Sequence, residues 1–246
     1  MIKLIIQITK VIITVITVLL LQSCVNVEWN SETISGNGKV VTVNRTIAEK
    51  FNSVSAQTGL NVIIEQANTV NIEVQADDNL QDHIFTTVKD GVLEVYSDVN
   101  IKNAEAKNIY IKTSNLEEIR SSSGANVKSD NKLEFKNLEL HSSSGSTILV
   151  EVDSDILSCE SSSGSSLEVK GKTNILNTES SSGSNINLEN LIAQNGKSSS
   201  SSGSSTTLNV VNQLKADASS GSSIEFISKP NSLIVDKSSG GSVSQK

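Results

Sequence analysis

Few side chains in this sequence offer chemistry, and their spacing decides what kind. The two histidines, His83 and His141, stand far apart in the chain. Ser142 follows His141 directly, but neighbours in a strand point to opposite faces, so the pair cannot form a nucleophilic triad. No His/Cys/carboxylate spacing matches a metal site. Asp153 with Asp155, and Asp77 with Asp78, could hold calcium in principle. They lack the Gly-Gly-x-Gly-x-Asp repeat of calcium-binding β-rolls and read better as solvated loops. Neither a catalytic residue nor a cofactor is expected.

Hydroxyl groups are what the sequence has in quantity. Ser-Ser-Ser-Gly occurs at residues 121–124, 142–145, 161–164, 180–183 and 200–203, with shortened Ser-Ser-Gly forms at 219–221 and 238–240. The glycines are 21, 19, 19, 20, 18 and 19 residues apart. A period held over seven copies means one supersecondary unit stacked on itself. Counting from each glycine, the residue five before is Ile119, Leu140, Cys159, Thr178, Ser198, Ala216 or Val235. Three after it come Val127, Ile148, Leu167, Ile186, Thr206, Ile224 and Val243. Seven before it, five copies carry Leu: Leu138, Leu157, Leu176, Leu214 and Leu233. The intervening positions hold Glu, Lys, Asn, Asp and Ser, so the alternation has period two and each turn supplies two short strands with one face inside.

Such turns bury their apolar face only by stacking, at roughly 4.8 Å per rung, or about 30 Å for seven rungs. Parallel strands default to right-handed crossovers. The expected fold is therefore all-β: a right-handed parallel β-helix of about seven rungs of 18–21 residues. Continued alternation through the bend would turn the first and third serines inward, where only small side chains fit, with their hydroxyls bonded to neighbouring rungs. Glycine would supply a backbone angle denied to other residues and a close approach between rungs. The middle serines, Ser143, Ser162, Ser181 and Ser201, would then form an outward hydroxyl ladder able to meet a glycan, another β-edge or ice. His141 falls at an outward position, stacked between Arg120 and Glu160. Cys159 falls in the inward column between Leu140 and Thr178, as a small, inert hydrophobe.

Ahead of the repeats lies a segment without the period. Strands are expected at residues 39–47, 51–56, 60–66, 70–75, 92–96 and 108–113, with turns at Gly59 and at residues 89–91. Residues 77–85 suit a short helix capped by Asp77 or Asp78. This segment would close one end of the array.

The first two dozen residues form a leader. Lys3 and Lys10 precede an apolar run over residues 11–21 of signal-peptide length. Leu21-Gln22-Ser23-Cys24 then resembles a bacterial lipobox with Cys24 as the lipid acceptor. An uncleaved anchor is the alternative, and either puts the remaining chain outside the cytoplasmic membrane. Acyl chains on Cys24 would tether the protein without a spanning helix and leave Cys159 alone, with no disulfide to form. Cleavage removes Lys3 and Lys10 and takes the formal charge from −7 to about −9. An acidic chain with only Arg45 and Arg120 as arginines suits neither nucleic acid nor anionic lipid. The expected organisation is a signal peptide over 1–23, a tether over 24–36, a capping β segment over 37–118 and the repeat β-helix over 119–246.

A family resemblance rests on several short motifs in order. They are Gly36-Asn37-Gly38-Lys39-Val40, Phe51, and Thr58-Gly59-Leu60-Asn61-Val62-Ile63-Ile64-Glu65-Gln66. Ala76-Asp77-Asp78-Asn79-Leu80, Val88-Lys89-Asp90-Gly91-Val92-Leu93 and the Ser-Ser-Gly repeats complete the set. Together, from about Ser35 onward, they resemble the head GIN domain of auto-transporter adhesins, a family of Bacteroidetes-type envelope proteins. The resemblance implies a β-helical domain on a secreted or lipid-anchored protein, and brings no catalytic residues.

The expected function is thus a non-catalytic, lipid-anchored adhesin or ligand-binding protein of the cell envelope, on either face of the outer membrane. Its partners would be the membrane, through its lipid, and a glycan or cell-surface protein. One alternative is a polysaccharide-processing enzyme, which a cleft with three or more clustered carboxylates or bases would favour. The other is an assembly protein that forms oligomers through open β-helix edges.

Overall fold

Alternating aliphatic and polar residues do produce strands with one face inside, and the repeat sets their register. The computed structural model describes Lys10 and residues 32–246; the rest of the leader, the lipobox and Cys24 lie outside the described residues. Residues 33–246 form one unit, a parallel β-solenoid of about seven turns. Ile119, Leu140, Cys159, Thr178, Ser198, Ala216 and Val235 pair one above another along the stack. So do Val127, Ile148, Leu167, Ile186, Thr206, Ile224 and Val243. These columns form the core; Thr178 donates to the Ser198 hydroxyl at 2.7 Å within it. Two copies have no leucine seven before the glycine: Glu117 stands there in the first, and in the other Gly196 takes the place and the Val210 side chain packs against it.

The middle turns are not pairs of short strands. Thr147–Ser161, Ser166–Ser180, Asn185–Ser200 and Ser205–Ala218 each run as one bent strand. Rungs on both sides keep the parallel pairing going through the bend, with register shifts absorbing the curvature. Among the described residues nothing stacks on the last turn. Leu233 and Val235, expected inside, are each 40% exposed.

The Ser-Ser-Ser-Gly bend corrects the expected inward phase. Its third serine and glycine both take left-handed backbone angles, φ 52° at Ser144 and 71° at Gly145. The Ser146 N–H donates to the Ser143 carbonyl at 3.2 Å across them. That is a type I′ turn, which interrupts the alternation. The first serines are buried, as expected, but the third serines are exposed. The second inward position belongs to the residue after the glycine: Ser146, Ser165, Ser184, Ser204 and Ser222, all buried. A Cβ added at Gly124, Gly145, Gly164, Gly183, Gly203 or Gly221 would meet nothing within 4 Å. The backbone angle alone therefore requires glycine at these corners, not the proximity of rungs.

The capping segment shares this geometry without the sequence signature. Gln57-Thr58-Gly59-Leu60 makes the same corner, with φ 55° at Thr58 and 67° at Gly59. The flanking strands Ser53–Ala56 and Asn61–Gln66 pair in parallel with Glu118–Ser121 and Asn126–Ser129. On their other side lie Val92–Ser97 and Lys107–Thr113. The end is closed by antiparallel strands, as capping requires: Asn71–Asp77 on Lys107–Thr113, Val40–Asn44 on Asn71–Asp77, and Ile84–Lys89 on Val92–Ser97. Phe85 stacks on Tyr96 with ring centroids 5.2 Å apart.

Two further expectations change here. The helix at 77–85 is a 3₁₀ segment over Asp78–His83, and Ile84 and Phe85 belong to the next strand. Asp77 makes no cap bond; its carboxylate accepts from the Gly38 N–H at 2.7 Å and the Ala106 N–H at 3.0 Å. Thr33–Ser35, within the stretch read as tether, pairs with Asn100–Lys102.

Candidate functional site

Two outward faces meet at the Ser-Gly corner, and each carries residues held in register from rung to rung. Before the corner, Arg120, His141, Glu160, Glu179, Ser199, Asp217 and Asp236 form one column. His141 therefore stands between Arg120 and Glu160, as its spacing implied. Two residues earlier runs a second column that begins Glu118, Glu139, Ser158, Asn177.

Ser143, Ser162, Ser181 and Ser201 line the corner side of this face, half-buried. With His141, Glu160 and Glu179 they border a shallow cleft of about 350 Å³. Their carbonyls and N–H groups are used by the fold. The Ser162 N–H donates to the Ser142 carbonyl at 3.0 Å, and the Ser162 carbonyl accepts from the Ser165 hydroxyl at 2.8 Å.

The buried post-glycine serines, which the sequence analysis did not single out, hold the corners together. The Ser165 hydroxyl donates to the Ser142 carbonyl one rung back, at 2.7 Å, and Ser146, Ser184, Ser204 and Ser222 do the same at 2.7–2.9 Å. Each of Ser146, Ser165 and Ser184 also lies 2.9–3.1 Å from the first serine's hydroxyl in its own turn. Polar groups inside a narrow coil are thus paired rather than stranded. The signal was present in the sequence as a serine one place after each full-length glycine motif but the first, where Ala125 stands.

The fold also gathers a charged cluster that no local spacing announces. His141 Nε2 lies 3.2 Å from Glu118 and 3.5 Å from Glu139, and Nδ1 lies 3.0 Å from Glu160. The ligand atoms of Glu118, Glu139 and His141 fall within 4.8 Å of one another, close enough to hold a divalent cation. Arg120 Nε already donates to Glu118 at 2.5 Å, so a guanidinium supplies the positive charge there. Glu117, Glu118, Glu139, Arg120 and Lys136 border a neighbouring cleft of about 580 Å³. Glu117 accepts from Asn52 at 2.7 Å.

The remaining residues singled out in the sequence have partners that explain them. Asp153 pairs with Lys172 at 3.0 Å, and Asp155 accepts from Asn174 at 3.0 Å. Asp78 is bridged by Lys39 at 2.8 Å and by Asn37; bonds from both hold its carboxyl below the usual range. His83 meets Asp98 at 3.0 Å. Cys159 is fully buried, and burial pushes its thiol far above its ordinary value. A nucleophilic role there would need the thiolate.

Fold and surface define a β-solenoid that displays periodic polar columns. The chain belongs to the family described as "Putative auto-transporter adhesin, head GIN domain", whose sequence model matches residues 50–230. It is similar to a solved structure of a putative adhesin from Bacteroides fragilis, with a TM-score of 0.80 and 22% identity over 87% of this chain and 100% of that one. A putative lipid binding protein from Parabacteroides distasonis is similar at a TM-score of 0.72 and 16% identity, with the same coverages. A putative adhesin from Parabacteroides merdae is similar at 0.68 and 19%, over 88% of this chain and 100% of that one. No curated relative matches. An adhesin-type family is one of extracellular or envelope-associated proteins.

Proposed function

We propose that the chain is a non-catalytic, lipid-anchored envelope protein whose solenoid binds an extracellular ligand along its outward columns. The observation that carries this reading is the register itself. Side chains on successive rungs repeat at one fixed spacing, which suits a repeating partner, and the inner serines rather than the outer ones hold the corners. The adhesin description of the family agrees with it. Cys24 would carry the lipid and Ser143, Ser162, Ser181 and Ser201 part of the contact surface. Replacing Cys24 with Ala should abolish lipid labelling and release the protein from the membrane fraction; retention in that fraction would refute the anchor. A panel of glycans and host surface proteins should contain at least one saturable ligand.

The carboxylates around the larger cleft favour a second reading, polysaccharide cleavage, which requires two carboxyl groups in distinct roles. Glu118 is engaged by Arg120 and His141 and Glu117 by Asn52, which leaves Glu139 as the least committed. Turnover of a polysaccharide that Glu139→Gln eliminates would establish the enzyme. Pairing through the last rung is supported by the exposure of Leu233, Ile234 and Val235; a strict monomer in sedimentation at high concentration would end that reading.

A further inference from the structure

The face after the corner carries a slot whose walls differ chemically. Along one outward column, Glu73, Tyr110, Ile63, Lys128 and Leu149 pair in succession. Ile63 is almost covered, at 6% exposure, while Tyr110 and Leu149 are exposed at 36% and 46%. Ile63 is therefore a floor between the taller side chains of Tyr110 and Lys128, which stand two rungs, or about 10 Å, apart. Two residues earlier runs a row of amides: Gln75, Asn108, Asn61 and Asn126. Two residues later, beyond the residues that line the opening, Lys112 and Glu65 form an ion pair at 2.8 Å. The opening measures about 370 Å³, with Tyr110, Asn61, Asn126 and Lys128 on its rim and no carboxylate lining it.

The amides are set before any ligand arrives. Asn126 Nδ2 donates to Asn61 at 3.3 Å, Asn61 Nδ2 to Asn108 at 3.1 Å, and Asn108 Nδ2 to Gln75 at 3.1 Å. The Tyr110 hydroxyl also donates to Gln75, at 3.3 Å, which fixes the ring beside the row. A primary amide has two N–H donors and a two-lone-pair oxygen. Each asparagine thus spends one donor on its neighbour and keeps one, and Asn126 keeps its oxygen as well. Side chains already ordered lose little entropy when a ligand binds.

An aromatic face, an aliphatic floor and a row of fixed amides complement one chemistry. A pyranose ring has an apolar C–H face and a rim of hydroxyls that both donate and accept. We propose that this slot is a saccharide subsite that takes an uncharged hexose unit of an oligosaccharide. Its C–H face lies against Tyr110 over Ile63, and its hydroxyls bond the amides of Asn61 and Asn126. The proposal rests on the binding reading above and names the ligand class and the place.

The test titrates cellohexaose and mannohexaose, with hexagalacturonate as the acidic comparison, into the full chain held in phospholipid nanodiscs, read by ligand-observed NMR. One neutral hexasaccharide should bind, and Tyr110→Ala and Asn126→Ala should each weaken it about tenfold or more. Tyr110→Phe should largely keep it. Should Tyr110→Ala fail to fold, Tyr110→Val, which suits a strand, carries the same expectation. Loss of binding on replacing Ser143, Ser162, Ser181 and Ser201 together with Ala, with binding kept in the Tyr110→Ala variant, would overturn the subsite while sparing the binding reading. No binding of either neutral hexasaccharide at millimolar concentration, or preference for hexagalacturonate, would also overturn it.

Discussion

Gln57-Thr58-Gly59-Leu60 and Ser162-Ser163-Gly164-Ser165 are corners of one geometry built from different side chains. Both place two successive residues at positive φ, 55° and 67° in the first, 53° and 69° in the second. In the capping segment the buried residue after the glycine is Leu60, which joins the aliphatic core. In the repeat it is Ser165, which bonds the rung behind it. Thr58 adopts an angle unusual for a β-branched residue, and its hydroxyl accepts from the Ser97 N–H at 2.7 Å. The backbone thus requires only glycine and a tolerant residue before it. Hydroxyls are the repeat's own solution for filling a narrow interior.

Exchanging residues between the two corners gives the largest effect. Ser184→Leu should destabilise by at least about 3 kcal/mol, since it overpacks the corner and leaves the Ser161 carbonyl and Ser181 N–H without their hydroxyl partner. Leu60→Ser should cost about 2–5 kcal/mol through lost apolar burial. Denaturant unfolding of the purified protein measures both. If Ser184→Leu unfolds like the wild type, the two corners are interchangeable and the role given to the serines is wrong.

Asp77 tests the cap by itself. Burial pushes its carboxyl up, but the N–H groups of Ala106 and Gly38 outweigh that and hold it below its ordinary 3.8. A carboxyl held low contributes stability at pH above that value, and the contribution is lost as pH falls through the folded value. Asp77→Ala should cost about 1–3 kcal/mol at neutral pH. Below about pH 4, the gap between variant and wild type should narrow in melts run across the pH range. A gap that stays constant would remove the charge from the account.

Smaller effects separate angle from space. Gly164→Ala has room for its methyl, so it should cost only the left-handed angle, about 1–2 kcal/mol. Ser182→Leu should fall within about 0.5 kcal/mol of wild type, because that side chain is exposed and its angle is already taken by a non-glycine residue. A large loss there would restore the phase that simple alternation implies.

Much of the solenoid was legible because its signal is periodic. Apolar or small residues five before and three after each glycine predicted the core columns, apart from Val235 in the last turn, and the place of His141 between Arg120 and Glu160 followed from the same count. What escaped was whatever depends on φ or on pairing across long separations. The type I′ turn swings the third serine outward while the residues on either side keep their phase, and composition alone does not reveal it. Gln57-Thr58-Gly59-Leu60 lacks the serines that mark the other corners. The Glu118–Glu139–His141 cluster and the Asn61–Asn108–Asn126 row join strands separated by inserted segments or whole turns, so neither has a local motif.

Inner hydroxyls hold the solenoid, and the proposed ligand contacts lie on its outer side chains. The direct measurement is ligand retention and unfolding midpoint, side by side, for the Ala replacement of Ser143, Ser162, Ser181 and Ser201 and for the Ala replacement of Ser146, Ser165, Ser184 and Ser204. The outer set should keep its midpoint and weaken binding to the ligand identified on the glycan and host-protein panel. The inner set should lose several kcal/mol of stability, at about 1 kcal/mol for each hydrogen bond. An outer set that unfolds early, or an inner set that melts like the wild type, would contradict the claim.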